Sequence, residues 1–278
     1  MDETRAARIE LTRIARGAVS QAADFVAREE PLEIRVEGRS IAVVMRTPGH
    51  DEELAAGFLL TEGVIRTAAD IFEISLCPAT SEGGNVADVL LTSGVSVNWD
   101  SLTRHVFASS SCGVCGKATL DSVLMNFPKV TSSLKVSATM LQSLPDQLRA
   151  AQETFEQTGG LQASAIFDRE GKLLVLREDV GRHNALDKTL GHALHAGLLP
   201  LENHSLMLSG RVSFELMQKA LAGGIPVVAA ISAPSSLAVD FAQGSGQTLI
   251  GFLRGETMNV YAGAERVVGP VADDVRRH

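Results

Sequence analysis

At 278 residues and 45% hydrophobic content, the chain can build one large core or two smaller ones. A formal net charge of −8 argues against a protein that coats nucleic acid, and three cysteines are too few and too odd in number for a disulfide scaffold. No apolar run reaches the ~18 residues of a membrane span, and Met1-Asp2-Glu3-Thr4-Arg5 offers no apolar signal segment, so a soluble protein of the reducing cytoplasm is expected.

Residues 1–18 are charged and Ala-rich and read as a tail or a short helix. Pro31 to Val36 alternates apolar and polar, Glu37-Gly38-Arg39 is a turn, and Ile41 to Met45 returns as a second strand. Asp51 is placed to cap a helix whose apolar face is Leu54, Phe58 and Leu59, ending at Gly63. His50 falls in the loop before it. Ile71 to Cys77, Val86 to Thr92 and His105 to Ala108 read as short strands, with Ser81 to Asn85 a turn. Cys77 reads as a small core residue at the end of a strand. Residues 19–109 therefore read as a smaller, β-rich N-terminal domain.

Residues 110–127 hold a cysteine loop, Ser109-Ser110-Ser111-Cys112-Gly113-Val114-Cys115-Gly116-Lys117, followed by the helical spacing Leu120, Val123, Leu124, Phe127. Unpaired N–H groups and the macrodipole at that helix start, with the Lys117 ammonium, lower a thiol pKa and make its sulfur nucleophilic. Serine and glycine around the pair indicate a mobile loop. A zinc half-site lacks its other half, since Cys77 stands alone and no histidines have finger spacing. A redox dithiol stays open as an alternative.

Residues 128–278 read as an α/β layer with a mostly parallel sheet. Pro145-Asp146-Gln147-Leu148 marks a helix start, continued by Phe155 and broken at Thr158-Gly159-Gly160. Leu161 to Asp168 and Lys172 to Leu176 form a hairpin, and Ala185 to Leu199 a helix. Strands at Ser205 to Leu208, Ile225 to Ile231, Gln247 to Leu253 and Met258 to Tyr261 alternate with helices capped by Ser213 and Ser235.

In such a sheet, ligands sit beyond the carboxyl ends of the strands. Three polar turns fall there: Glu178 to Asn184, Ser209 to Ser213 and Ser232 to Ser236. Each opens a helix, and Arg182, Arg211 and Arg254 add positive charge, so a phosphate-bearing ligand is expected. The bland alternative is a set of helix caps with solvated arginines. Neither a Walker loop nor G-x-G-x-x-G is present. A Ser-His-Asp hydrolase built on His183 and Asp179 lacks its G-x-S-x-G elbow. Zinc deaminase chemistry needs P-C-x-x-C, and here the C-x-x-C lacks its proline and precedes the α/β region.

The chain resembles the FdhD family of formate dehydrogenase accessory sulfurtransferases. The resemblance is carried by Val44 to Gly49, Glu52 to Gly63, Cys112-Gly113-Val114-Cys115-Gly116-Lys117, Glu178 to Lys188, Leu208 to Arg211 and Ser232 to Ala238. It implies a cytidine-deaminase-like α/β domain without the zinc site, α+β overall with the N-terminal unit, and no resident metal. It implies a homodimer and a sulfur carrier that accepts persulfide sulfur from a cysteine desulfurase. Cys112 would be the carrier, with Cys115 beside it. The sulfur would pass to the molybdenum cofactor, in its bis-molybdopterin guanine dinucleotide form, before that enters formate dehydrogenase. The cofactor, or a GDP-like nucleotide, would lie against Phe252, Leu253, Arg254, Gly255, Glu256 and Thr257. Gln162 stands where the family often has histidine. A cofactor-binding chaperone without chemistry of its own is the other alternative.

Overall fold

A computed structural model of the chain describes residues 4–77, 85–99 and 127–269. The early elements are β1 (Ala6–Ala15), β2 (Ala18–Ala27), β3 (Glu30–Val36), β4 (Arg39–Arg46), α1 (Asp51–Thr61), β5 (Ile71–Cys77) and β6 (Asn85–Leu91). There follow β7 (Val136–Ser137), α2 (Ala138–Ala150), α3 (Glu153–Thr158), β8 (Gln162–Phe167), β9 (Leu173–Asp179) and α4 (Arg182–His195). The chain ends with β10 (Ser205–Leu208), α5 (Phe214–Ala222), β11 (Val227–Ala230), α6 (Ser236–Ser245), β12 (Thr248–Arg254), β13 (Thr257–Ala262) and β14 (Val267–Val268). The cysteine loop, the strand expected at His105 to Ala108 and most of the turn expected at Ser81 to Asn85 lie outside the described residues.

Two compact units emerge, and neither is continuous in sequence. The first takes the described residues up to 99 with Ala151–Ala163 and Arg177–Gly197; the second takes 127–150, Ser164–Leu176 and 198–269.

In the first unit, β3 buries Leu32, Ile34 and Val36 and turns Glu33 and Arg35 outward, the period of two that its sequence shows. It is central in a sheet of order β4-β3-β6-β5, antiparallel to β4 and parallel to β6. α1 packs on β5 and β6 and, most extensively, on α4. Two glycines permit that crossing. A Cβ on Gly57 would overlap the Asp187 carbonyl, and one on Gly191 would overlap the Glu53 carbonyl.

The expected tail is instead a hairpin, with β1 paired antiparallel to β2 from Ala6↔Ala27 to Ala15↔Ala18. Nearly every residue beyond Ala6 is exposed on both faces, so no buried stripe marks the strands in the sequence. Asp51 is not a cap: His50 holds that position at φ 59°, and the Asp51 carboxylate takes the buried Arg46 guanidinium in two bonds of 2.9 and 2.8 Å. Cys77 is exposed rather than in the core.

The second unit is built on a sheet of order β13-β12-β11-β10-β8-β9. Only β10–β11 and β11–β12 are parallel; β8 and β13 join them antiparallel, so the sheet is mixed rather than mostly parallel. The short strands β7 and β14 pair separately. Phe167, Leu206, Met207, Val227, Val228, Leu249 and Ile250 are fully buried, and Phe214 meets Phe241 edge to face at 5.1 Å.

Pro145 lies inside α2, not at its start. The helix opens a full two turns earlier, where the Ser137 hydroxyl accepts the Met140 N–H at 3.0 Å. Burial of Leu141, Leu144 and Leu148 along one face holds it across the proline. α4 begins at Arg182 and stops at His195, shorter at its end than expected, with Gly197 at φ 68° just beyond.

Candidate functional site

In the second unit the parallel registers Leu208↔Ala230 and Ala229↔Ile250 bring three strand ends side by side. The turns that leave them are tied together by main-chain bonds. Val212 donates to the Ala233 carbonyl at 3.1 Å, Ser235 donates to Val212 at 2.9 Å, and Phe252 donates to Ser232 at 3.2 Å. The sequence-predicted turns Ser209 to Ser213 and Ser232 to Ser236 are thus neighbours, and the β12–β13 hairpin joins them. Ser235 caps α6 through the Ala238 N–H as expected.

Gly251 is what lets β12 come this close. A Cβ there would stand 2.9 Å from Pro234 Cδ and 3.2 Å from the Ser232 carbonyl. The β12–β13 register then shifts between Gly251 and Arg254. Phe252 takes a left-handed φ of 52° and exposes its ring, while Leu253 goes fully into the core. Arg254 donates from Nε to the Ile231 carbonyl at 2.9 Å, and its guanidinium carbon lies 5.8 Å from the Phe252 ring centroid. Gly255 at φ 52° makes the turn, the Glu256 carbonyl accepts from Gln142, and the Thr257 hydroxyl donates to the Arg254 carbonyl.

Phe252, Arg254, Gly255, Glu256 and Thr257 are therefore presented outward, whereas Leu253 offers no side chain to a ligand. Arg211 is exposed on the adjoining turn. An aromatic face, two guanidinium groups and closely packed small-residue turns suit a planar base bearing phosphate.

The block Glu178 to Lys188 is used differently within the first unit. Asp179 and Lys188 form a fully buried pair at 2.7 Å. The remaining Asp179 oxygen capacity takes the N–H groups of Thr47 and Gly181 and the Asn184 amide at 3.0, 2.8 and 3.1 Å. Lys188 also donates to the Thr47 carbonyl at 2.7 Å, and Val180 donates to the Thr47 hydroxyl. Burial pushes the Lys188 pKa down, against the pull of the Asp179 carboxylate. Glu178 caps α3 by accepting the Thr154 and Phe155 N–H groups at 3.0 and 2.8 Å.

This turn was expected to offer its N–H groups to an anion, yet Val180 and Gly181 have already given theirs to side chains. Asp179 cannot orient a hydrolase histidine while it holds Lys188. Arg182 is the exception in the block: its Nε is buried without a hydrogen-bond partner.

The sequence did not expose a second cluster around Glu53. Its carboxylate receives Arg177 Nη2 at 2.7 Å and lies 3.0 Å from His192 Nδ1 and 3.4 Å from His50 Nδ1. Burial would raise the Glu53 pKa, but hydrogen bonds from Arg177 and His192 bring it below the usual carboxylate value. The only local signal was Gly49-His50 ahead of a helix, where both residues have positive φ. Among the described residues, no group of three or more His, Cys, Asp and Glu is placed to hold a metal ion, and no helix is long and apolar enough to cross a membrane. Cys112 and Cys115 lie outside the described residues.

The chain is 53% identical over 267 residues to a sulfur carrier protein FdhD from Streptomyces avermitilis, covering 94% of this chain and 95% of that protein. A protein of the same name from Sulfurisphaera tokodaii is 45% identical over 248 residues, covering 88% and 92%. A crystal structure from Desulfotalea psychrophila, of a protein described as a formate dehydrogenase accessory protein, superposes with a TM-score of 0.76 at 27% identity. It covers 95% of this chain and 100% of that one. A model of the FdhD/NarQ family matches residues 27–268, and the chain belongs to that family.

Proposed function

We propose that this protein is a sulfur carrier required for formate dehydrogenase activity, working as a sulfurtransferase through a cysteine persulfide. The Cys112 thiolate attacks the terminal sulfur of a persulfide on a cysteine desulfurase. The new S–S bond forms on Cys112, the old one breaks, and the desulfurase cysteine leaves as a thiolate. Lys117 and the expected helix start favour the anion on both sides of that exchange. The Cys112 S–S bond then breaks, Cys112 leaves as a thiolate, and the sulfur passes to the molybdenum bis-molybdopterin guanine dinucleotide cofactor, which is cargo and would supply the electron pair for the new bond, before it enters formate dehydrogenase.

The observation that carries the cargo half of this reading is the Phe252–Arg254 corner, knitted by main-chain bonds to the turns that follow β10 and β11. Phe252 offers a face for guanine, and Arg254 and Arg211 meet phosphate; Arg182, expected in the same role, belongs to the first unit. The reading also takes the α/β part as a cytidine-deaminase-like layer without zinc, the chain as a two-copy assembly, and the cytoplasm as its compartment.

Intact-mass measurement after incubation with a cysteine desulfurase and cysteine tests it. The protein should gain the mass of one sulfur, lost again on adding reductant, and Cys112→Ala should not gain it. An unchanged mass would favour a chaperone that only binds the cofactor. A loss of two hydrogens, reversed by reductant, would favour a Cys112–Cys115 redox pair.

A further inference from the structure

The hairpin β1–β2 stands out in the first unit. It is a two-stranded sheet of ten residues per strand whose base, where Ala22, Phe25 and Ala27 are half-buried, packs against α3, while the tip from Ala18 to Gln21 stands exposed; such ribbons are marginal in water where nothing covers them. Its tip carries a cross-strand pair, Ile14 opposite Val19, that is 72% and 67% exposed. Its two edges differ in charge. β1 carries Arg8, Glu10 and Arg13, the kind of charge that guards an edge against strand addition. In β2 the stretch from Ala18 to Ala23 has no charge, no proline and no glycine.

We propose that β2 is a self-docking edge through which two copies of this chain pair, antiparallel, about a twofold axis at Gln21. The proposal deepens the two-copy part of the functional reading and rests on that part alone. Hairpin geometry selects the register. Arg16 and Gly17, at φ 51° and 81°, form a two-residue turn closed by the Ala15↔Ala18 pair. Hydrogen-bonded pairs alternate from that closing pair, so Ala18, Ser20, Ala22 and Asp24 turn their main-chain groups toward β1. Val19, Gln21 and Ala23 turn theirs outward.

A twofold at Gln21 matches outward groups with outward groups. Gln21 meets the partner's Gln21, and Val19 meets the partner's Ala23. The exposed Ile14–Val19 row then continues across the seam. Asp24 falls opposite the partner's Ala18, diagonal to the partner's Arg16, so each end of the seam brings opposite charges together. The result is a four-stranded sheet whose outer edges are the two charged β1 strands.

Sedimentation velocity on the full chain tests this beside a Gln21→Cys variant. The expected wild-type result is a dimer. Ala23→Lys faces Glu10 across the hairpin, so it should keep the fold while weakening the dimer at least about tenfold. Directly opposed hydrogen-bonded residues have Cα atoms about 5.5 Å apart, within disulfide range. Oxidised Gln21→Cys should therefore give a 21–21 linked peptide on mapping, and Thr12→Cys on β1 should not. A dimer untouched by Ala23→Lys, with no 21–21 link, overturns the hairpin seam and leaves two-copy assembly standing. A monomeric wild type overturns both. If Ala23→Lys loses thermal stability, the presence or absence of the 21–21 link decides.

Discussion

Lys188 and Asp179 are both without solvent exposure, and each is the other's only ionic partner at hydrogen-bond distance among the described residues. Removing one charge leaves the other buried. Lys188→Met should therefore destabilise the protein by about 3–5 kcal/mol in urea unfolding, since a broken buried pair costs more than the pair itself contributes. Asp179→Asn with Lys188→Met should recover part of that loss; a Lys188→Met variant as stable as wild type would show that the pair bears no weight. The Glu53 cluster makes a different prediction. Burial, then the neighbouring Arg177 charge, hold the His50 pKa below its ordinary value, so the unfolded chain binds that proton first as pH falls. Stability should decline as pH drops below about 6.5, and further below about 4.5, where Glu53, depressed by Arg177 and His192, takes its proton in the unfolded chain first. Thermal melts of wild type, His50→Ala and Glu53→Gln across that range check the sign. The His50 contribution should be present above its unfolded pKa and vanish in His50→Ala.

At the scale of elements, α1 and α4 meet through glycine on both sides, although Gly57 and Gly191 are far apart in sequence. Each glycine faces a main-chain carbonyl of the other helix, and a carbonyl cannot turn aside as a side chain can. Gly57→Ala should cost toward the upper end of the ~1–3 kcal/mol typical of overpacking, with Ala56→Gly as a control for helix propensity. A Gly57→Ala variant of normal melting temperature would mean the helices move apart freely. The sequence shows why such contacts escape reading. Alternation made β3 legible, and short apolar runs bounded by turn residues made β8 and β10 to β12 legible, since these are buried almost throughout. β1 and β2 bury almost nothing, so no period exists to find. Pro145 pointed to a helix start, while the three leucines that hold α2 together on either side of it were the stronger signal. The site divides the same way. Polar turns after β10 and β11 were visible in the sequence, but the left-handed Phe252 and the carbonyl that anchors Arg254 depend on a register shift that no spacing encodes.

Taken whole, an acidic molecule of net charge −8 would have to hold the proposed guanine nucleotide through local rather than overall charge. Three polar turns were candidates from their residues and 252–257 from the family resemblance, and the structure arranges the four differently. In the second unit, the turns after β10 and β11 and the β12–β13 hairpin share main-chain bonds, so a ligand that orders one should order all three. In the first unit, the Val180 and Gly181 N–H groups are already bonded to Thr47 and Asp179, and nothing is left for them to gain from phosphate. Addition of GDP should therefore slow amide exchange at 209–213, 232–236 and 252–257 together, and leave Val180 and Gly181 unchanged. Phe252→Ala should weaken GDP by about 1–3 kcal/mol, the range of base–aromatic stacking, equally at low and high salt. Arg254→Ala should instead reduce the salt dependence, because a screened charge contact has been removed. Exchange slowed at Val180 and Gly181 but not at the hairpin would move the nucleotide to the first unit, where an Arg182 side chain with an unpartnered Nε would be the remaining contact.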